Sequence, residues 1–216
     1  MTAFDATRAE HYDHLAHQWA AYQAFHQTAV AALDAHLPEC ATVALVGVGT
    51  GNEAKLLRER RPRWRLVGLD PAPAMLEVAR RKLGDTVELR EGTLQEHPDL
   101  NELDGVSLIG VLHHLPTTDA QDELLQTIRQ RLKPGGLLVF GCQVGPYVPG
   151  SLREATLARS WGVPPHEAQQ RMGEFRAHTL PLDPEGLQRT LRAAGFARWE
   201  RLLTAIYFEI WVAVVP

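Results

Sequence analysis

Three glycines spaced two apart, Gly47, Gly49 and Gly51, follow the apolar run 43–46 in the stretch VALVGVGTGN. Glycine at that spacing lets a backbone reach positive φ and lets another group approach it closely. The chemistry such a loop can do is to cradle a dinucleotide, a phosphate or another nucleoside-bearing cofactor, and its bland alternative is a tight strand-to-helix turn. The dinucleotide pattern GxGxxG needs a third glycine where Asn52 stands, and a phosphate loop needs a Gly-Lys-Ser/Thr ending that is absent. Asp70 closes the next apolar run, nineteen residues after Gly51. Alone it reads as a helix N-cap before Pro71. With the glycine loop upstream it reads as a carboxylate accepting hydrogen bonds from two ribose hydroxyls. His113 and His114 follow a later apolar run and are candidates for a general base, an orienting group or a pocket wall.

The elements that position these residues alternate. Residues 7–37 carry an apolar stripe of Tyr12, Leu15, Trp19, Tyr22, Ala29, Leu33 and Leu37, with Thr7 and Glu10 as a capping box and Pro38 as the stop. Strands are expected at 42–46, 65–69, 87–90, 106–111 and 137–144, and helices at 52–60, from Pro71 and Pro73 to Gly84, and at 118–132, with LKPGG (132–136) as a turn. Residues 151–178 read as helical with a break at GVPP (162–165), a helix runs from Asp183-Pro184 to Gly195, and 199–204 and 207–215 read as neighbouring antiparallel strands. This rhythm implies right-handed crossovers in an α/β fold. The expected architecture is a doubly wound, mostly parallel seven-stranded sheet with an antiparallel last strand and helices on both faces. Ligands in such folds bind beyond the carboxyl ends of the strands.

Several motifs in this order resemble the class I S-adenosylmethionine-dependent methyltransferases: VALVGVGTG (43–51), LVGLDPAPAML (66–76), EGTLQE (91–96), GVSLIGVLHHL (105–115) and LKPGGLLVF (132–140). The resemblance covers about residues 40–144 strongly and the closing strands more loosely. It implies one domain over 1–216, divided into an N-terminal helical cap (1–38), a cofactor-binding core (39–144), a helical lid insert (145–182) and a closing helix with strands (183–216). It implies S-adenosyl-L-methionine as cofactor. Gly47, Gly49 and Gly51 would cradle it, Asp70 would hold its ribose, and Pro71 and Met75 would pack near the adenine. Thr93 and Leu94 would border the adenine edge, and Gly110 and Val111 would lie under the sulfonium side. His113 and His114 are the catalytic candidates. Trp19, Tyr22, His114, Tyr147, Trp161 and Phe175 are the candidates for a substrate pocket. The family usually carries an acid two residues before the first glycine, where this chain has Leu45; Glu53 or a residue of the N-terminal helix is the candidate replacement.

The expected activity is methyl transfer to a small-molecule acceptor. Two alternatives stay open: a tRNA-related enzyme acting through a modified cofactor or on RNA directly, and a non-catalytic cofactor-binding module. A net charge of −4 argues against a general nucleic-acid binder, although RERRPRWR (58–65) is locally basic. His11, His14 and His17 are spaced by three, but on a helix the outer two diverge by about 120°, so no metal site is expected. Cys40 and Cys142 read as small apolar fillers in a reducing compartment. The N-terminus carries early charge and no apolar core, and no uncharged stretch reaches membrane-span length, so a cytoplasmic protein, monomeric or homodimeric, is expected.

Overall fold

The computed structural model describes residues 6–19 and 21–216, apart from the side chains of Arg8 and Leu15; the place given to Leu15 in the apolar stripe lies outside the described residues. The N-terminal pattern folds as two helices, α1 (Ala6–His17) and α2 (Tyr22–His36). Helix α1 is already running at Ala6, so Thr7 sits inside it rather than capping it. Then follow β1 (Thr42–Val46), α3 (Asn52–Arg60), β2 (Arg65–Asp70), α4 (Pro73–Leu83), β3 (Glu88–Glu91), β4 (Leu103–Ile109), α5 (Thr118–Arg131) and β5 (Leu132–Gln143). The chain closes with α6 (Leu152–Ser160), α7 (Pro165–Ala177), α8 (Pro184–Ala194), β6 (Arg198–Ala205) and β7 (Phe208–Val214).

The seven strands lie in the order β3-β2-β1-β4-β5-β7-β6. Neighbours from β3 to β5 pair in parallel, and β7 inserts antiparallel to both β5 and β6. The order reverses at β1–β4, which puts the switch point beside the glycine loop. The central strands are buried on both faces, as a parallel sheet flanked by helices requires. On one face α5 and α8 contribute Leu124, Leu125, Ile128, Leu187 and Leu191 to the core. On the other, α2, α3 and α4 contribute Ala29, Leu33, Ala54, Leu57 and Leu83.

Three sequence expectations shift. The LKPGG segment is not a separate turn: β5 begins at Leu132, which pairs with Leu103, and the register slips before Gly105 meets Leu137. Strand β4 ends at Ile109, leaving Gly110 and Val111 in the turn beyond it. Cys40 is exposed, so only Cys142 acts as a buried filler; both thiols are free.

Candidate active site

The carboxyl ends of β1, β2, β4 and β5 meet at one edge, and short backbone bonds fix the loops there. Gly47 and Val48 donate their N–H groups to Leu69 O at 2.8 and 2.9 Å, and Gly110 donates to Gly141 O at 2.9 Å. Gly47, Gly49 and Gly51 all have positive φ, at 75°, 55° and 82°. They do three different jobs. A Cβ at Gly47 would lie 2.2 Å from Val111 Cγ2, and one at Gly51 would lie 2.7 Å from Leu83 Cδ1, so these two allow the loop to pack on β4's turn and on α4. Gly49 and Gly110 face open space, with nothing within 4 Å of where a Cβ would stand. Those two positions are the bare floor of a cradle.

Asp70 ends β2 beneath that loop and is almost wholly buried. Its Oδ2 accepts from Gly49 N–H at 2.9 Å and its Oδ1 from Ala72 N–H at 2.9 Å. Burial raises its pKa above the ordinary carboxylate value, against the pull of these two bonds. A carboxylate has about four lone-pair sites, so it can hold the loop and still accept from a diol.

At Leu45, where the resemblance expects an acid, the side chain is buried in the core. Its register partner on β4 is Ser107, whose hydroxyl donates to Glu53 Oε1 at 2.6 Å. A carboxyl thus stands on the same sheet face as Leu45, delivered from the first turn of α3. Burial pushes Glu53 up to about 7, and the Ser107 bond opposes that shift. A second carboxyl comes from α1. Asp13 accepts from Thr50 Oγ1 at 2.6 Å, from Asn52 Nδ2 at 2.8 Å and from Lys82 Nζ at 2.7 Å. Burial alone would raise Asp13, but these donors outweigh it and hold its carboxyl below the usual range. Asn52 also donates to the Tyr22 hydroxyl at 2.7 Å. The network pins α1 and the start of α2 onto the glycine loop, while Ala9 packs on Ala72 and Met75.

Beside this lies a cavity of about 300 Å³, walled by Trp19 from the turn between α1 and α2, Tyr22 and Phe25 from α2 and Phe175 from α7, and floored by Ile109, Gly110, Gly141 and Phe208. The rings interlock: the centroids of Trp19 and Phe208 are 4.3 Å apart, those of Trp19 and Phe25 5.1 Å, and those of Phe175 and Phe208 5.8 Å. His113 and His114, with ring centroids 4.4 Å apart, line it from a buried position and from the exposed mouth respectively, and Trp161 and Arg171 complete one side. Buried His113 Nδ1 accepts from Gln143 N–H at 3.3 Å. A backbone N–H only donates, so the neutral ring carries its proton on Nε2. Burial holds His113 well below the ordinary histidine value, and His114 adds to the effect.

The structure therefore brings Trp19, Tyr22, His114, Trp161 and Phe175 to one cavity, beside Gly110. It does not place Tyr147 on its wall: that ring stands behind Phe175 at 5.2 Å, with its hydroxyl on Gln143. It also moves Leu94, whose side chain is fully buried in the core, so only its backbone can border a ligand. The Thr93 hydroxyl is committed to Glu96 Oε2 at 2.9 Å in a capping box, and Pro71 is exposed. Phe25, His26, Gln143 and Phe208 join the lining, beyond the residues that the sequence singles out. His26 follows Tyr22 by four residues and so shares its helix face, which was the available signal. Of the basic run, Arg60 and Arg61 pair with Asp34, Arg63 with Glu39 and Arg65 with Glu88. His11 and His17 bond to carbonyls of their own helix, at 2.8 and 2.6 Å. Among the described residues no cluster could hold a metal ion, and no helix is long and apolar enough to cross a membrane.

A family model described as a methyltransferase domain matches residues 45–138. The chain is 31% identical over 191 residues to a demethylmenaquinone methyltransferase of Deinococcus radiodurans, covering 82% of this chain and 76% of that protein. It is 32% identical over 162 residues to the erythromycin 3''-O-methyltransferase of Saccharopolyspora erythraea, covering 70% of this chain and 49% of that one. The chain spans only 40 to 53% of the length of three further curated relatives. The fold is shared with human N-acetylserotonin methyltransferase, solved in complex with S-adenosylmethionine, at a TM-score of 0.67 and 20% identity, covering 98% of this chain and 56% of that one.

Proposed function

Since this chain belongs to the class I S-adenosylmethionine-dependent methyltransferases, we propose that it methylates a small-molecule acceptor held in the aromatic cavity. The observation that carries the reading is the adjacency of two features at one sheet edge: the open glycine cradle with Asp70, and a half-open, ring-lined cavity reaching Gly110. At about 300 Å³ that cavity stands at the small end of ligand sites. The erythromycin and demethylmenaquinone relatives, both named for small molecules, support the same class.

The residues fit the cofactor. Gly49 and Gly110 leave room for it, and Asp70 offers carboxylate lone pairs to its ribose. When bound, the cofactor supplies a methyl carbon activated by its sulfonium. The chain's own work is then to orient the acceptor, exclude water and receive a proton where the acceptor releases one. The helices α1, α2 and α7 cover the cavity and serve as its lid. His113 is ill suited as a base: a proton at Nδ1 would set its N–H against that of Gln143. It instead positions the end of β5 and can donate from Nε2. His114, exposed at the mouth, is the histidine better placed to receive a proton. An RNA acceptor is disfavoured, because the basic run lies at the far end of α3 and four of its five arginines are already paired with acids.

The test is release of S-adenosylhomocysteine from isotopically labelled cofactor across a panel of small acceptors and bulk tRNA, followed by mass spectrometry. Turnover on a small molecule and none on tRNA is the expected result; turnover on tRNA alone overturns the reading.

A further inference from the structure

The cavity's polar lining says what it can take. Its charged side chains have partners away from the floor, and Glu174 is exposed to solvent. Arg171 pairs with Glu167 at 2.5 Å, and Glu174 accepts from Gln170 at 3.1 Å. Its deeper titratable groups are held neutral: burial pushes Tyr22 up, and burial with the neighbouring His17 brings His26 down to about 4. No free cation of those groups stands against the ring-lined floor to meet a carboxylate. An ammonium would gain some attraction from the rings of Trp19, Phe25 and Phe208 but would meet no carboxylate on that floor, and the indole N–H of Trp19 cannot accept from it. A charge left unpaired in such a place loses its hydration without compensation.

Two hydrogen-bonding groups in the same wall are unspent. Trp19 Nε1 and His26 Nδ1 are buried and have no partner among the described residues, although both side chains line the cavity. Each unsatisfied group carries a desolvation cost that a bonded partner would remove. An occupant that brings an oxygen recovers it after a small rotation of either ring. Trp19 requires an acceptor, and a neutral imidazole takes either an acceptor or a donor.

We propose that the cavity takes an uncharged, flat ring bearing a hydroxyl or carbonyl oxygen, the ring seated among Trp19, Phe175 and Phe208 and the oxygen answered by Trp19 Nε1 and His26. This rests on the reading of the cavity as the acceptor site and adds its substrate class. Trp19 and His26 become the residues that set specificity: the rings select a flat apolar body, and the two nitrogens select a neutral oxygen over a charged group.

The experiment uses the full chain saturated with S-adenosylhomocysteine and four probes of one size: 4-methylphenol, toluene, 4-methylbenzoate and 4-methylbenzylamine. Affinities are measured by protein-observed NMR titration. The phenol is expected to bind at least tenfold more tightly than either charged probe and about fivefold more tightly than toluene. In Trp19→Phe and His26→Leu the phenol falls to the toluene level while toluene stays within twofold, and His26→Asn restores part of the loss. Unchanged S-adenosylhomocysteine affinity in each variant shows that it is folded. A charged probe binding as well as the phenol, a phenol no better than toluene, or binding by none of the four overturns the proposal, even where the cofactor product binds normally. Failure of the wild-type chain to bind S-adenosylhomocysteine is a separate result; it overturns the acceptor-site reading itself, and the proposal with it.

Discussion

Glu53 is a carboxyl with 7% exposure, and among the described residues its side chain is held by a bond from Ser107. Its pKa rises from 4.5 to about 7 because burial penalises the charged form. At about 1.4 kcal/mol per tenfold change in proton affinity, that difference is worth about 3 kcal/mol. The folded chain binds this proton more tightly than the unfolded chain does. The contribution to stability is therefore full below about pH 4.5, falls as pH rises, and levels off above about pH 7. Glu53→Gln keeps an oxygen for Ser107 and cannot ionise. Urea unfolding of the ligand-free wild type and variant at pH 5, 6, 7 and 8 isolates the effect, because His26, His113 and Asp70 titrate in both proteins and cancel in the difference. The variant is expected to gain on the wild type by about 2–3 kcal/mol between pH 5 and pH 8. A difference that stays flat with pH, or a variant less stable than wild type at pH 8, refutes the assignment of Glu53 as a costly buried acid.

Three further outcomes follow from the loop. Gly47→Ala drives a methyl into Val111 at positive φ and is expected to cost stability, roughly 2–4 kcal/mol by chemical denaturation. Gly49→Ala meets open space, so it is expected to cost only about 1 kcal/mol of stability but to weaken cofactor binding at least tenfold in calorimetry. Asp13→Ala removes the acceptor shared by Thr50, Asn52 and Lys82, and faster hydrogen exchange in α1 with slower exchange nowhere is the expected result.

The alternation of apolar runs with capped helices carried most of the architecture, because a parallel sheet needs crossovers and each crossover leaves a Pro, Gly or Asp at its ends. Asp183 and Gly195 mark α8 within one residue for that reason. Asp70 was legible through its distance from the glycine loop. What was not legible depended on contacts far apart in sequence. Thr7 resembles a cap, yet the chain is helical before it. Leu94 follows a loop that borders the site, but its side chain turns into the core. Phe25, His26 and Phe208 look like ordinary core positions of a helix and a strand. Only the meeting of α2 with the carboxyl end of β5 and the start of β7 makes them a pocket wall. The division of labour among the glycines was likewise hidden, since spacing cannot say which Cβ would strike a neighbour and which would fill a cradle.

Calorimetric titration of S-adenosylmethionine into the wild-type chain and into Asp70→Ala tests the central claim most directly. Saturable one-to-one binding by the wild type and at least a tenfold loss in Asp70→Ala are expected, with the variant still folded by circular dichroism. No binding by the wild type, or equal binding by both, contradicts it.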